Sequence, residues 1–358
     1  MSHTLISELP APLQPAQPIA AALRRPQWGW VAGLLFAALV VPRLGNDYWF
    51  SAVLVPFLVF ALAGLGLNLL TGYTGQLSVG SAAFMAVGAF ATYNFALRQP
   101  WLPLPISLVL GGLVTALFGV LVGLPSIRIK GFYLIVSTLA AQFFVQWVLV
   151  KFGWFSNYNP SGVISAPRLE LFGLDFSSPS GRYLFTLAVV VALTWIARNL
   201  VTSATGRNWM AVRDMDTAAA VIGIPVRRVK LQAFAVSSFY LGVAGALWAF
   251  AYVGTVEPHG FDLTRSFQIL FIIIIGGLGS LGGAFLGAAF IVLFPILLSN
   301  LAAQYLGGLI DPANVENAQK IVLGSLIIWL LVKEPEGLAR LVSRVWAHLP
   351  GRQAKSAT

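Results

Sequence analysis

Cysteine does not occur in this sequence, which excludes a disulfide framework, a thiolate nucleophile and any Cys-based metal site. Charge is almost as scarce, with Asp, Glu, Lys and Arg making up 9% of 358 residues, against roughly 25% in a soluble domain. Histidine is limited to His3, His259 and His348, far apart and without an HxxxH pair, so no histidine-built metal site is indicated. No GxxxxGK[ST] phosphate loop is present, and the dipeptide Gly-Lys does not occur at all. Basic clusters interleaved with stacking aromatics in a soluble domain are also missing, so the net charge of +10 is not that of a nucleic-acid binder.

What is present is apolar. Hydrophobic residues form 58% of the chain, and the mean hydropathy is +0.82. Runs of about 18 residues or more recur along its length, and about 20 helical residues cross a bilayer's hydrocarbon core. These runs are continuous rather than alternating, which excludes a membrane β-barrel and predicts an all-α polytopic membrane protein. The first begins at Trp28, and the others fall near 50–70, 77–97, 103–124, 132–150, 183–201, 231–253, 264–278, 282–303 and 318–332. Together they predict about ten spans. Residues 1–27 are Pro/Ala-rich and read as a disordered tail. The first run ends in VVPRLGNDYW without a small-residue cleavage site, so it is read as a retained span.

Charge sets the orientation. If the tail carrying Arg24 and Arg25 is cytoplasmic, so are Arg128, Lys130, Arg198, the 203–230 loop, Lys333 and the 334–358 tail. The opposite side then holds Arg43, Arg98, Lys151, Arg168, Arg182, Arg265 and Lys320, balanced by Asp47, Glu170, Asp175, Glu257, Asp262, Asp311 and Glu316. The whole net charge thus falls on the cytoplasmic side, as the positive-inside rule requires, with both termini inside.

No ionisable group is expected near the middle of an apolar run, so the usual acidic or histidine relay of an ion-coupled carrier is missing. Paired acids or a nucleophile with its base are missing from the spans too, so the chain reads as non-catalytic. Uphill transport would then draw on a separate ATPase pressing on a cytoplasmic loop. An ion-coupled or facilitative carrier using backbone carbonyls remains the alternative.

The longest cytoplasmic loop reads SATGRNWMAVRDMDTAAAVIGIPVRRVK over 203–230, with charges before a small-residue run and Gly223 and Pro225 after it. Two readings stand: a solvated basic loop that fixes topology, or a shallow-faced helix seated in a partner's groove. This loop and the following LQAFAVSSFYLGVAGAL resemble the LivM-type branch of the branched-chain amino-acid permease family of ABC importers. So do GLGLNLLTGYTGQLSVGSAAFMAVGAFA (64–91) and FIIIIGGLGSLGGAFLGAAF (271–290), and the resemblance runs over about 50–335.

That resemblance implies a permease fold in the bacterial inner membrane, with a second related permease subunit, two ATP-binding subunits and a periplasmic solute-binding protein. It also implies a permease domain over 28–333, no cofactor bound by this chain, and ATP on the partner subunits. The importer class carries a coupling pattern of Glu-Ala-Ala, three residues, Gly; Thr217, Ala218, Ala219 and Gly223 stand at those positions, Thr217 replacing the Glu. Gly206, Arg207, Arg213 and Asp216 complete the expected ATPase-coupling set.

Two glycine-rich breaks interrupt the apolar runs, one at Gly72, Gly75 and Gly80 and one at Gly276, Gly277, Gly279, Gly282 and Gly283. An offset of 204 matches Gly72 with Gly276 and Gly75 with Gly279, hinting at an internal repeat. Broken helices in two halves of a transporter mark solute pathways, whereas small residues at helical spacing also serve close packing. Asn68, Thr71, Gln76, Ser78 and Ser81 around the first break need either a wet pathway or one another. The expected pathway set is Asn68, Thr71, Gly72, Gly75, Gln76, Ser78, Ser81, Gly276 and Gly279, with Gln142 and Gln146 as weaker candidates. In the outer loop, 152–181, the aromatics are either interfacial anchors or, through 154–163, a docking surface for a binding protein.

Overall fold

The structure, a computed structural model, describes residues 36–127, 131–159, 162–167, 169–171, 174–306, 312–333 and 337–348. The N-terminal tail, the start of the first run, Arg128, Lys130 and the end of the C-terminal tail lie outside the described residues. The chain divides into two units. Of the first, a π-helical stretch Phe36–Val40 and one helical turn, Val41–Leu44, are described.

The second unit is built from helices. A π-helical turn, Trp49–Leu54, leads into α1 (Val55–Thr74), where Pro56 occupies the first turn and has no intrahelical bond to lose. Then follow α2 (Ser81–Arg98), α3 (Leu104–Gly123), α4 (Phe132–Lys151) and α5 (Pro179–Thr202). Two short helices, α6 (Ala204–Asp214) and α7 (Asp216–Val221), form the 203–230 loop. α8 (Val226–Leu247) continues through a second π-helical turn, Trp248–Val253. The chain ends in α9 (Leu263–Gly276), α10 (Leu281–Leu306), α11 (Pro312–Lys333) and α12 (Leu338–His348). A two-residue antiparallel pairing joins Ile164–Ser165 to Thr255–Val256.

Among the described residues, six helices are long and apolar enough to cross a membrane: Trp49–Thr74, Leu104–Gly123, Phe132–Lys151, Pro179–Thr202, Val226–Val253 and Leu281–Leu301. The first and fifth are central, with 89% and 83% of their most apolar windows buried, against 28–39% for the other four. Glycine permits this packing. A Cβ on Gly88 would run into the backbone of Gly242, and one on Gly276 into the carbonyl of Gly283, so α2 meets α8, and α9 meets α10, backbone to backbone.

The remaining helices are shorter or more polar. α9 has 14 residues, too few for the roughly 20 that a crossing needs. Its start lies partway along the spans. Gln142, ten residues from Phe132 and nine from Lys151, holds the carbonyl of Phe261 through Nε2 at 2.8 Å. Its Oε1 accepts from the Ser266 hydroxyl at 3.2 Å and from the Ala83 amide at 2.6 Å. The first amides of a helix have no intrahelical partner. Ser266 Oγ takes that of Ala82 and Thr138 Oγ1 that of Val79, so α2 also starts at mid-span height.

Candidate functional site

α1 ends because Gly75 adopts a left-handed conformation, φ 70°, and residues 75–80 then run without helix to the start of α2. The polar side chains about this break are met inside the protein. Thr71 Oγ1 donates to the carbonyl of Gln76 at 3.1 Å, and Gln76 Nε2 donates to Thr74 Oγ1 at 3.0 Å and to the carbonyl of Lys230 at 3.4 Å. The amide of Gly80 donates to Ser78 Oγ at 3.4 Å. Gln76 Oε1 and Ser81 Oγ stay buried without a partner.

The second break packs directly on the first. Asn68, fully buried, donates from Nδ2 to the carbonyl of Ser280 at 2.8 Å and accepts at Oδ1 from the amide of Gly279 at 2.9 Å. A methyl group on Gly72 would strike that same Gly279 amide. The two glycine segments that sequence offset pairs as repeats therefore touch, in the register Gly72 to Gly279. Gly276 faces Gly283 and Gly287 instead, a close-packing position.

The 203–230 loop reaches this crossing at two points, one near its middle and one at its end. Arg213 Nη1 donates to the carbonyl of Gly72 at 3.0 Å, and the same guanidinium contacts Asp214. At the loop's end Lys230, 8% exposed, pairs with Asp216 at 3.4 Å, and its carbonyl holds Gln76. A polar cavity of about 340 Å³ lies between, lined by Thr74, Gly75, Gln76, Arg213, Asp216 and Lys230 among others.

Within the loop, Gly206 packs against the carbonyl of Val201, and Arg207 donates to the carbonyl of Thr202. Gly223, at φ 87°, has open space where a Cβ would stand. Thr217 and Ala218 are exposed, but Ala219 is 2% exposed and faces its own chain. The outward surface of the tip is Met215, Val221 and Ile222, of which Val221 is 86% exposed. Sequence reasoning followed the alanines and missed these. The available signal was the adjacent branched pair Val221 and Ile222 immediately before Gly223.

At the far end of α2, Arg98 stacks over Trp154 at 3.9 Å and donates to Asn94 Oδ1 and to the carbonyl of Trp154. Asn94 in turn holds the carbonyl of Phe155. These residues border an apolar cavity of about 460 Å³ beneath the 152–159 segment. Gln142 and Gln146, weaker pathway candidates, both hold Phe261.

Arg265 was not singled out from the sequence; it stands in the first turn of α9, yet its side chain lies beside the middle of a neighbouring apolar helix. Its guanidinium stacks 4.2 Å over Trp248 and lies 5.4 Å from the ring centre of Phe60. Phe60 stands 11 residues from Trp49 and 14 from Thr74, in the middle of its span. No group of His, Cys, Asp or Glu suited to a metal ion occurs among the described residues.

The family described as the permease component of branched-chain amino acid transport systems matches residues 49–331. A high-affinity branched-chain amino acid transport system permease protein, LivM, of Salmonella typhimurium is 31% identical over 323 residues, 83% of this chain and 71% of the relative. The protein of that name in Escherichia coli is 31% identical over 310 residues, 78% and 68% of the two. An autoinducer 2 import system permease protein, LsrC, from an Enterobacter species is 28% identical over 74% of each chain. No solved structure matches.

Proposed function

This chain belongs to the family of permease components of branched-chain amino acid transport systems, and we propose that it carries branched-chain amino acids, or a related small polar solute, into the cytoplasm. ATP hydrolysis on two separate subunits drives the movement, with a second related permease completing the path and a periplasmic binding protein delivering the solute. The chain sits in the inner membrane with both termini inside. Ten membrane segments result when α2, α9, α11 and the first run are counted with the six long apolar helices, α9 with its 14 residues crossing only part of the bilayer. Domain limits follow: a tail over 1–27, the permease over 28–333 and a second tail over 334–358.

One observation carries the coupling part of this reading. The 203–230 loop holds the first glycine break at two points, Arg213 on Gly72 and the Lys230 carbonyl on Gln76. Force on the loop is thereby applied to the place where α1 ends and where both breaks cross. Gly206, Arg207, Arg213, Asp216, Thr217, Ala218, Ala219 and Gly223 act as the coupling set in this reading, some by contact and some by shaping the loop. Asn68, Thr71, Gly72, Gly75, Gln76, Ser78, Ser81, Gly276 and Gly279 form the moving edge of the pathway.

The test is reconstitution into proteoliposomes, with and without the ATP-binding subunits, the second permease and the binding protein. Uptake of L-leucine is expected only from the complete assembly with ATP. Flux through this chain alone would support a secondary carrier instead.

A further inference from the structure

We infer that Arg265 is the solute-reading residue of the pathway, taking the carboxylate of the transported molecule at the middle of the membrane, with the partly exposed Tyr252 beside it to meet the apolar part while Trp248 and Phe60 form the buried backing. This inference rests on the transport function proposed above and names the part of the solute that the chain itself recognises.

The depth of Arg265 follows from two independent rulers. Ser266, its neighbour, is bonded to Gln142 at the midpoint of α4. On the other side the Arg265 guanidinium lies near Phe60, midway along Trp49–Thr74. A cation at that depth is costly unless it faces a partner or a water-filled path. Among the described residues no carboxylate lies within ion-pair distance of Arg265, although Asp262 is near enough to act on its charge, and Nε is buried without a hydrogen-bond partner. Nη1 donates to Gln268 Oε1 at 2.9 Å, a neutral amide that orients the fork without neutralising it.

The surroundings suit an amphipathic anion. The Arg265 guanidinium lies 4.2 Å over the Trp248 ring, and a guanidinium can meet a carboxylate with two parallel hydrogen bonds, the forked geometry that lysine lacks. Tyr252 lies against Trp248 with ring centres 4.5 Å apart and the planes tilted by 52°, and it is 36% exposed, so this edge of the aromatic cluster opens outward. Thr264 and Phe267, on either side of Arg265 in sequence, are exposed as well. The amide of Arg265 is held by Asp262 Oδ1, which caps α9 and fixes where the side chain departs. A one-sided site of this kind binds and releases, as conduction requires, because it does not enclose the solute.

The experiment uses the complete transporter in proteoliposomes, with radiolabelled L-leucine as probe. ATP-dependent leucine uptake by the unsubstituted assembly is measured first; its absence would overturn the transport reading, whatever Arg265 does. Given uptake, Arg265→Gln is expected to lower it by about tenfold or more, the scale of a lost charge-assisted contact, while the subunits still copurify. Since the native chain has no cysteine, Arg265→Cys gives a single addressable thiol. Aminoethyl methanethiosulfonate, which restores a cation, is expected to recover part of the uptake. The anionic sulfonatoethyl reagent should not, and leucine should slow either reaction during turnover. Leucine uptake by Arg265→Gln within about twofold of the unsubstituted protein, on the same energy scale, would overturn the inference. So would a thiol in the Arg265→Cys variant that aqueous reagent never reaches in the assembly, because Arg265 would then face a carboxylate of the second permease or pack structurally. Should both variants fail to assemble, Arg265→Lys keeps the charge without the fork; undiminished uptake by that variant would equally reject the carboxylate site.

Discussion

Arg213 donates from Nη1 to the backbone carbonyl of Gly72 across 3.0 Å, joining α6 of the 203–230 loop to the last turn of α1, 141 residues earlier in the chain. That carbonyl belongs to the C-terminal turn of a helix, where backbone oxygens lack intrahelical partners and the dipole favours a cation. A loop bonded there cannot move without either pulling the turn or releasing it.

Replacing Arg213 by Gln shortens the side chain and removes the charge, so the loop should lose its hold on Gly72. The side chain is 38% exposed, which limits the stability loss to well under that of a buried contact. The expected effect is on coupling: ATP hydrolysis by the complete assembly continues, while uptake per ATP falls by about tenfold, the scale of one charged hydrogen bond. Measuring both rates on the same proteoliposomes checks this. An unchanged ratio would mean that Arg213 only steadies the loop.

Asn68 binds two adjacent residues in the middle of the second break, and Asn68→Leu at this fully buried position strands the Gly279 amide and the Ser280 carbonyl together. A stranded buried group costs about 1–3 kcal/mol, so the variant should unfold in detergent at a clearly lower temperature. Asn68→Asp keeps an acceptor for Gly279 and loses the donor for Ser280, and is expected to fall between. Equal melting of all three proteins would show that the crossing contributes nothing to stability.

Gly72 and Gly282 give a matched pair. Alanine at Gly72 pushes a methyl into the Gly279 amide, whereas alanine at Gly282 meets nothing within 4 Å. Overpacking at the first costs about 1–3 kcal/mol. Alanine at the second, in the first turn of α10, gains part of the roughly 0.5–1 kcal/mol that separates Ala from Gly in a helix interior. Thermal melting of the two variants should move in opposite directions, and a Gly72→Ala protein as stable as the parent would remove the close-contact account.

The sequence made the fold class plain because scarce charge and long apolar runs have a single solvent that suits them. The breaks were also visible, since glycine clusters stand out against Leu and Ile. Their partnership was not. Nothing local in Asn68 specifies Gly279, 211 residues away, and the offset of 204 suggests equivalence rather than contact. Arg265 was sorted with the outer loops because a charge at the edge of an apolar run looks the same whether the helix starts at the membrane surface or halfway through. Only the ties of Ser266 to Gln142, and of Arg265 to Trp248, give its depth. The three alanines of α7 carry no amphipathic pattern, so which of them faces inward was equally hidden.

That last point changes how ATPase docking should be tested. Ala219 is buried against its own chain, so bulk at that position disturbs the loop itself and reports on no partner. Val221 and Ile222 are 86% and 73% exposed, two branched apolar side chains at the tip of a charged loop, followed by Gly223 with open space about it. Exposed apolar residues ringed by charge mark a surface that another protein covers. Ile222→Asp should therefore release the ATP-binding subunits during purification, by about tenfold or more if Ile222 is a central contact, with melting of the isolated permease unchanged. A single cysteine at Ile222 should crosslink to an ATP-binding subunit, and one at Ala219 should not. Crosslinking that succeeds from the segment around residue 131 and fails from Ile222 would move the docking site to the α3–α4 connection. Failure from both would leave the permease without an ATPase contact at either loop, and the ATP-driven mechanism would have to be abandoned for this chain.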